Sequence, residues 1–252
     1  MHDLFDLTGS TVIVTGANTG LGQAMAVALA GAGARVVLVA RSDPGETVSR
    51  IGALGGECGV VTADLAEPGA AERVIREAVT RFGPIDVLVN NAGIIRRTDA
   101  LEFSEADWDD VLDVNLKVPF FLAQGAARQM LAESRRGKIV NVASLLSFQG
   151  GIRVASYTAS KSGLAGVTRL LANEWARHGI NVNAIVPGYF ATSNTEALRQ
   201  DPQRSSEILG RIPAGRWGEP DDLAGAVIFL ASRASDYVHG VLLPVDGGWL
   251  AR

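Results

Sequence analysis

The chain has 252 residues, 47% of them hydrophobic and 20% charged, with a formal net charge of −4. That length and apolar content bury a sizeable core without staples, and the acidic balance excludes the basic field by which proteins hold nucleic acid. The single cysteine, Cys58, cannot close an internal disulfide, which fits a reducing compartment.

The opening MHDLFDLTGS has neither a basic start nor an apolar run, so it does not read as a signal peptide. Apolar runs such as VVLVA are far too short to cross a bilayer. The expectation is a soluble, cytoplasmic protein.

Short β-branched runs follow one another along the chain: 11–15, 35–40, 59–63, 86–90, 138–143, 180–186 and 241–245. Each is apolar on both faces, as strands of a parallel sheet covered on both sides are. Helix-like segments lie between them, for example 21–34 and 69–83. The alternation predicts an α/β fold, a doubly wound parallel sheet of seven strands forming one domain over 1–252. The stretch 190–216 is polar and reads as a lid over the carboxyl ends of the strands, where open α/β sheets bind ligands.

After the first strand comes TGANTGLG (15–22), with Gly16, Gly20 and Gly22 where strand turns into helix. Glycine there lets backbone approach a pyrophosphate, and the helix N-terminus offers free N–H donors. A tight βα turn uses glycine as well, but the position after strand one is the context that dinucleotide binding requires.

Further on, SYTASKSG (156–163) puts Tyr157 and Lys161 four residues apart, on one face of a helix. A free phenol has a pKa of ~10, too high for proton exchange at neutral pH. Lowering it to ~7 takes roughly 4 kcal/mol, which one ammonium ~4 Å away supplies at an effective dielectric of ~20. Lys161 is therefore expected to make Tyr157 an acid and base. Ser144 ends the strand GKIVNVAS. The histidines His2, His178 and His239 are too scattered for a zinc site, and no metal is expected.

The spacing G-x-x-x-G-x-G, Asp64 after the third strand, NNAG at 90–93, Asn115, Ser144, Y-x-x-x-K at 157–161, and PG at 187–188 followed by Thr192 together resemble the short-chain dehydrogenase/reductase family over essentially the whole chain. The resemblance implies a Rossmann-type fold and a catalytic set of Asn115, Ser144, Tyr157 and Lys161. Ser144 would hold the substrate oxygen. The backbone carbonyl of Asn115 would hold a water that links Lys161 to solvent. The proton path would run from Tyr157 through the cofactor ribose and Lys161 to that water. Cofactor contacts are implied for Gly16, Asn18, Thr19, Gly20 and Leu21, for Asp64 (to the adenine) and Leu65, and for Asn91, Ala92 and Gly93. Pro187, Gly188, Phe190 and Thr192 complete the set, with Tyr157 and Lys161 at the nicotinamide ribose. A homotetramer built through the helices of Asn115 and Tyr157 and C-terminal strand contacts is also implied.

The choice of nicotinamide is open in the sequence. Where an acid would bind a ribose 2′-hydroxyl stands Ala40, followed by Arg41 and Ser42. Arginine suits a 2′-phosphate, which favours NADP. Thr19, standing where many NADP-type members carry a second basic residue, and the nearby Asp43 leave NAD in play.

Segments such as NNAGIIRR, SLLSFQGGIRVASYTASKSG and VDGGWLAR resemble the branch of the family that acts on deoxy sugar acids. That branch interconverts a hydroxyl and a ketone and ordinarily uses NAD. Arg97, Arg153, Arg211 and Arg216 are candidates to clamp a carboxylate, with Arg153 first for its place four residues before Tyr157. Gln149 and Asn194 are candidates for hydroxyl contacts. A reductase of another small ketone or of a 3-oxoacyl thioester, and a non-catalytic dinucleotide sensor, are the alternatives.

Overall fold

The computed structural model describes residues 4–252; Met1, His2 and Asp3 lie outside it, so His2 has no structural account. Seven strands run in parallel: β1 Thr11–Thr15, β2 Arg35–Ala40, β3 Cys58–Thr62, β4 Val87–Asn90, β5 Gly137–Val142, β6 Ile180–Pro187 and β7 Leu242–Val245. Their spatial order is β3-β2-β1-β4-β5-β6-β7. Each expected strand is present, shifted by a residue or so where its ends are set by neighbours. The order reverses between β1 and β4, which opens a crevice at their carboxyl ends.

Helices cover both faces: α1 Gly20–Gly31, α2 Gly45–Ala53, α3 Ala70–Phe82, α4 Glu105–Leu112, α5 Val118–Ala132, α6 Ala155–Trp175, α7 Glu196–Gln200, α8 Pro202–Leu209 and α9 Ala224–Ala231. Strand alternation divides the core. Ile13, Val37 and Leu88 pack with α3 and α5 on one face, whereas Val12, Val14 and Leu38 pack with α1 and α9 on the other. Each such fully buried side chain contributes roughly 1.5–3 kcal/mol. No helix of the described residues is long and apolar enough to cross a membrane.

A buried polar thread fixes α6 over the sheet. Asn90 donates to the Asn141 side chain (3.0 Å), Asn141 to Thr168 (2.9 Å), and Thr168 to the Leu164 carbonyl (2.8 Å). At the opposite, amino-terminal edge, Lys138 on β5 donates to Asp236 (2.6 Å) and to Asn181 on β6 (3.1 Å). These bonds satisfy polar groups that would otherwise cost stability in the interior.

Residues 190–216 form a cover above the sheet. Its two feet are joined by a parallel bridge between Phe190 and Gly218. Ile208 and Ile212 anchor it on Leu145 and Trp249 in a third apolar cluster. The expected polar lid is therefore apolar on its underside.

Candidate active site

The glycine turn is built for close approach. A Cβ on Gly22 would lie 2.1 Å from the Gly16 carbonyl oxygen and 2.4 Å from Asn91 Nδ2, and Gly16 has φ +65°. Asn91 Nδ2 donates to the Thr15 carbonyl (2.8 Å), while the Asn91 and Ala92 amides both reach Thr15 Oγ1 (3.0 Å each). The NNAG loop after β4 is thus stapled under the turn after β1, across the crevice. Thr19 precedes α1 without capping it by its side chain. The first-turn amides of α1 have no carbonyl four residues back. A Cβ on Gly20 would meet nothing nearer than Thr192 of the cover, at 3.8 Å. A narrow backbone cradle at an uncapped helix start, roomy on its outer side, fits a dinucleotide pyrophosphate.

A second network supports this turn from below. Thr47, fully buried on α2, donates to the Ala17 carbonyl (2.8 Å) and accepts from Gln23 (3.0 Å). Gln23 in turn accepts from Arg50 (3.2 Å). Asn18 donates to Ser42 (2.9 Å), tying the turn to the end of β2. Thr47 carries no local signal, because its partner is a backbone carbonyl thirty residues away.

At the rim of the crevice Arg41 meets Asp64 at 3.5 Å, with the Arg41 side chain 77% exposed. These two expected cofactor residues lie within one ion pair. Leu65 and Phe190 are instead core residues, 8% and 4% exposed. Their side chains belong to the packed clusters, so any cofactor contact from them comes from the backbone. Pro187 ends β6, and Gly188 packs so tightly that a Cβ would lie 2.6 Å from the Asp246 Cα.

The catalytic candidates converge at the carboxyl ends of β4 and β5. Asn115 sits in a π-helical turn, Asp113–Lys117, between α4 and α5. Such turns accommodate an extra residue and recur at functional sites. Its side chain, wholly buried, exchanges two 2.8 Å hydrogen bonds with the Ile94 backbone and also donates to Ser160 Oγ on α6 (3.4 Å), so it ties the loop after β4 to the helix of Tyr157. Gly93 lies beneath, where a Cβ would be 3.1 Å from Asn115 Oδ1 and 3.8 Å from Lys161 Nζ.

Tyr157 and Lys161 share a face of α6, with Lys161 Nζ 5.6 Å from the phenol ring centre. The electrostatics differ from the expectation. Burial pushes the Tyr157 phenol above its usual value, while hydrogen bonding to Ser144 and the nearby Arg97 charge pull it down. Lys161 is not the main counterweight: its own burial brings its ammonium down to about 8, and it donates to the Val142 carbonyl (2.7 Å). The desolvation that strengthens a charge's reach also penalises both charged forms. Ser144 accepts from the Leu146 amide (3.2 Å), which fixes its hydroxyl oxygen at the strand end.

The arginines sort themselves by partner. Arg153, expected first as a carboxylate clamp, has φ +64° just before α6 and pairs with Asp99 at 3.1 Å on the surface. Helical spacing does not extend back to it, so the reasoning from its place four before Tyr157 fails. Arg216 pairs with Asp222 (2.6 Å), and Arg211 stacks on Trp249 at 4.0 Å. Among the described residues Arg97 pairs with no carboxylate; it crosses to the cover, donating to the Asn194 carbonyl (3.2 Å). Gln149 accepts from Trp249 Nε1 (3.2 Å), so its amide nitrogen is the end left for other partners.

Comparison with known proteins adds to this geometry. The family model described as enoyl-(acyl carrier protein) reductase matches residues 16–250. A 2-dehydro-3-deoxy-D-gluconate 5-dehydrogenase of Escherichia coli (strain K12) is 60% identical over 248 residues, 98% of each chain. The protein of the same name from Bacillus subtilis (strain 168) is 52% identical over 253 residues, covering 100% of this chain and 99% of its own. Among solved structures, a provisionally assigned 2-deoxy-D-gluconate 3-dehydrogenase from Agrobacterium tumefaciens with bound NADP has a TM-score of 0.95 at 61% identity, covering 99% of this chain and 100% of that one.

Proposed function

The chain belongs to the short-chain dehydrogenase/reductase family, and from that premise we propose that it is an NAD(P)-dependent oxidoreductase interconverting a secondary hydroxyl and a ketone on 2-dehydro-3-deoxy-D-gluconate or a close deoxy sugar acid. The observation that carries the reading is the 60% identity across 98% of a 2-dehydro-3-deoxy-D-gluconate 5-dehydrogenase, joined to a gathered Ser144, Tyr157 and Lys161.

The dinucleotide supplies the hydride acceptor or donor when bound. The chain's own residues do the rest. The turn 16–22 would hold the pyrophosphate with its backbone amides, and Thr192 of the cover, beside Gly20, would line the same cradle. Arg41 is placed to meet a 2′-phosphate by giving up its exposed pair with Asp64, an exchange with little loss because surface pairs contribute ~0–1 kcal/mol. NADP is accordingly the favoured form, with NAD also accepted.

In the reducing direction Tyr157 donates a proton to the substrate oxygen. A phenol held above its usual value stays protonated, ready for that step. Ser144 orients the same oxygen. In the oxidising direction Tyr157 takes the proton back. Lys161, with its ammonium near 8, exchanges protons around neutral pH and resupplies the site. Oxidation is therefore expected to quicken as pH rises through about 8. Arg97 is the carboxylate-reading side chain: it lies close enough to Tyr157 to act on its phenol and has no acidic partner among the described residues. Assembly as a homotetramer is part of the same proposal.

The test is nicotinamide absorbance with NAD and NADP against deoxy sugar acids and a neutral ketone of similar size. Turnover confined to the acids is expected. A preference for the neutral ketone, or for a 3-oxoacyl thioester, would remove the substrate assignment.

A further inference from the structure

Resting on the catalytic reading above, we propose that Ser147 and Ser162 are positioning residues: their hydroxyls lock the loop that bears Ser144 onto the helix that bears Tyr157 and Lys161. The lock sets the separation of the two groups that share the substrate oxygen.

Residues 145–147 form a single 3₁₀ turn directly after Ser144. Ser147 Oγ donates to the Lys161 carbonyl on α6 (2.7 Å). One residue along, Ser162 Oγ donates in the opposite sense, to the Leu146 carbonyl (3.0 Å). The turn returns both constraints to Ser144: the Leu146 amide donates to Ser144 Oγ (3.2 Å) and the Ser147 amide to the Ser144 carbonyl (2.9 Å). Two paths of hydrogen bonds thus join Ser144 to neighbouring residues of one helix. The Lys161 ammonium, on the Val142 carbonyl, adds a third tie from the last residue of β5.

The attachment point matters because Lys161 is one helical turn beyond Tyr157, about 6 Å along the axis. Fixing the backbone at 161 and 162 fixes the phenol relative to the strand end. On its other side α6 presses closely on Leu116, whose Cδ2 would lie 2.9 Å from a Cβ on Gly163. The helix therefore has no room to shift toward that neighbour. Ser147 is half-buried and Ser162 exposed, so the Ser147 bond is less open to exchange with water and is the stronger of the two. Neither bond is needed to make the turn or the helix. Both hydroxyls span the gap between the two catalytic elements.

The experiment compares wild type with S147A, S147T, S162A and S147A/S162A. Three quantities are read: turnover of the deoxy sugar acid, dinucleotide Kd, and titration of the Tyr157 phenol by ultraviolet difference against Y157F. Small displacements of reacting groups have large kinetic cost, and kcat is expected to fall roughly tenfold in S147A, less in S162A and further in the double variant. Dinucleotide Kd should stay within about twofold, because the glycine turn is untouched. Since Ser144 is one of the groups pulling the phenol down, a loosened Ser144 should move the phenol titration to higher pH. S147T keeps the hydroxyl and should restore both rate and titration. Unchanged rate and titration in the double variant overturn the proposal, as does a loss of rate with an unmoved titration that threonine does not restore. If wild type turns over no deoxy sugar acid, the functional reading fails instead, while the phenol titration still decides the lock.

Discussion

Two buried lysines sit at opposite ends of the same sheet. Lys138, 8% exposed at the amino-terminal edge, has Asp236 at 2.6 Å and the Asn181 amide oxygen at 3.1 Å. Lys161, 4% exposed at the carboxyl end, has the Val142 carbonyl as its hydrogen-bond partner and no carboxylate among the described residues. Burial lowers both ammonium groups, but at Lys138 the Asp236 bond and charge oppose the shift, while at Lys161 burial acts unopposed and reaches about 8. The amine that only holds the fold is given an acid. The amine that trades protons in the proposed mechanism is denied one.

The sharpest way to break this comparison is Lys161→Met. Turnover should drop at least 100-fold, since general acid–base groups contribute on the order of 10²–10⁴. Stability should not fall with it. The folded-state ammonium titrates near 8 against 10.5 unfolded, so the unfolded chain holds more protons between those values. Wild type therefore carries a burial penalty below pH 8, roughly 3 kcal/mol, which is relieved as pH rises toward 10.5. Urea unfolding at pH 7 should find the methionine variant as stable as wild type or more so.

Lys138→Met should do the reverse. It removes the donor of the Asn181 oxygen and leaves Asp236 with the longer Arg136 pair at 3.6 Å, costing about 2 kcal/mol of unfolding free energy, with kcat per folded molecule unchanged. A kinetic defect without loss of stability would contradict the division of labour. At the carboxyl end again, Arg41→Ala should raise KM for NADP about tenfold and leave KM for NAD nearly alone, measured as the ratio of the two kcat/KM values. The smallest effect is expected from Thr47→Val, which removes a buried donor to the Ala17 carbonyl. The loss of about 1 kcal/mol should appear as a severalfold rise in dinucleotide KM at constant kcat, with Thr47→Ser restoring it.

What could be read in the sequence was whatever depends on short range. The glycine turn, the strands and the tyrosine–lysine face follow from periodicity and backbone conformation within a few residues. Asn115 was legible only through the family resemblance, and the π turn that holds it was not. Arg153 was ranked first for its nearness to Tyr157 in the chain, but its backbone at φ +64° precedes the helix and its side chain pairs with Asp99. Arg97 was among the candidate arginines, but its priority was hidden for the opposite reason: its place in the site depends on a contact with residue 194, ninety-seven positions away. The poise of Lys161 was also invisible, since spacing gives proximity to a phenol but says nothing of how much water each group loses.

The π turn at Asp113–Lys117 lets α4 and α5 run on as one rod from Glu105 to Ala132. Excising one residue there would regularise the winding, yet swing everything upstream by about 100° around the axis. Trp108 and the two acids that pair with Arg96, Asp107 and Asp110, would turn away with it. Length changes that surface loops absorb freely are thus barred from this rod, and a trimmed version of the protein must be shortened elsewhere.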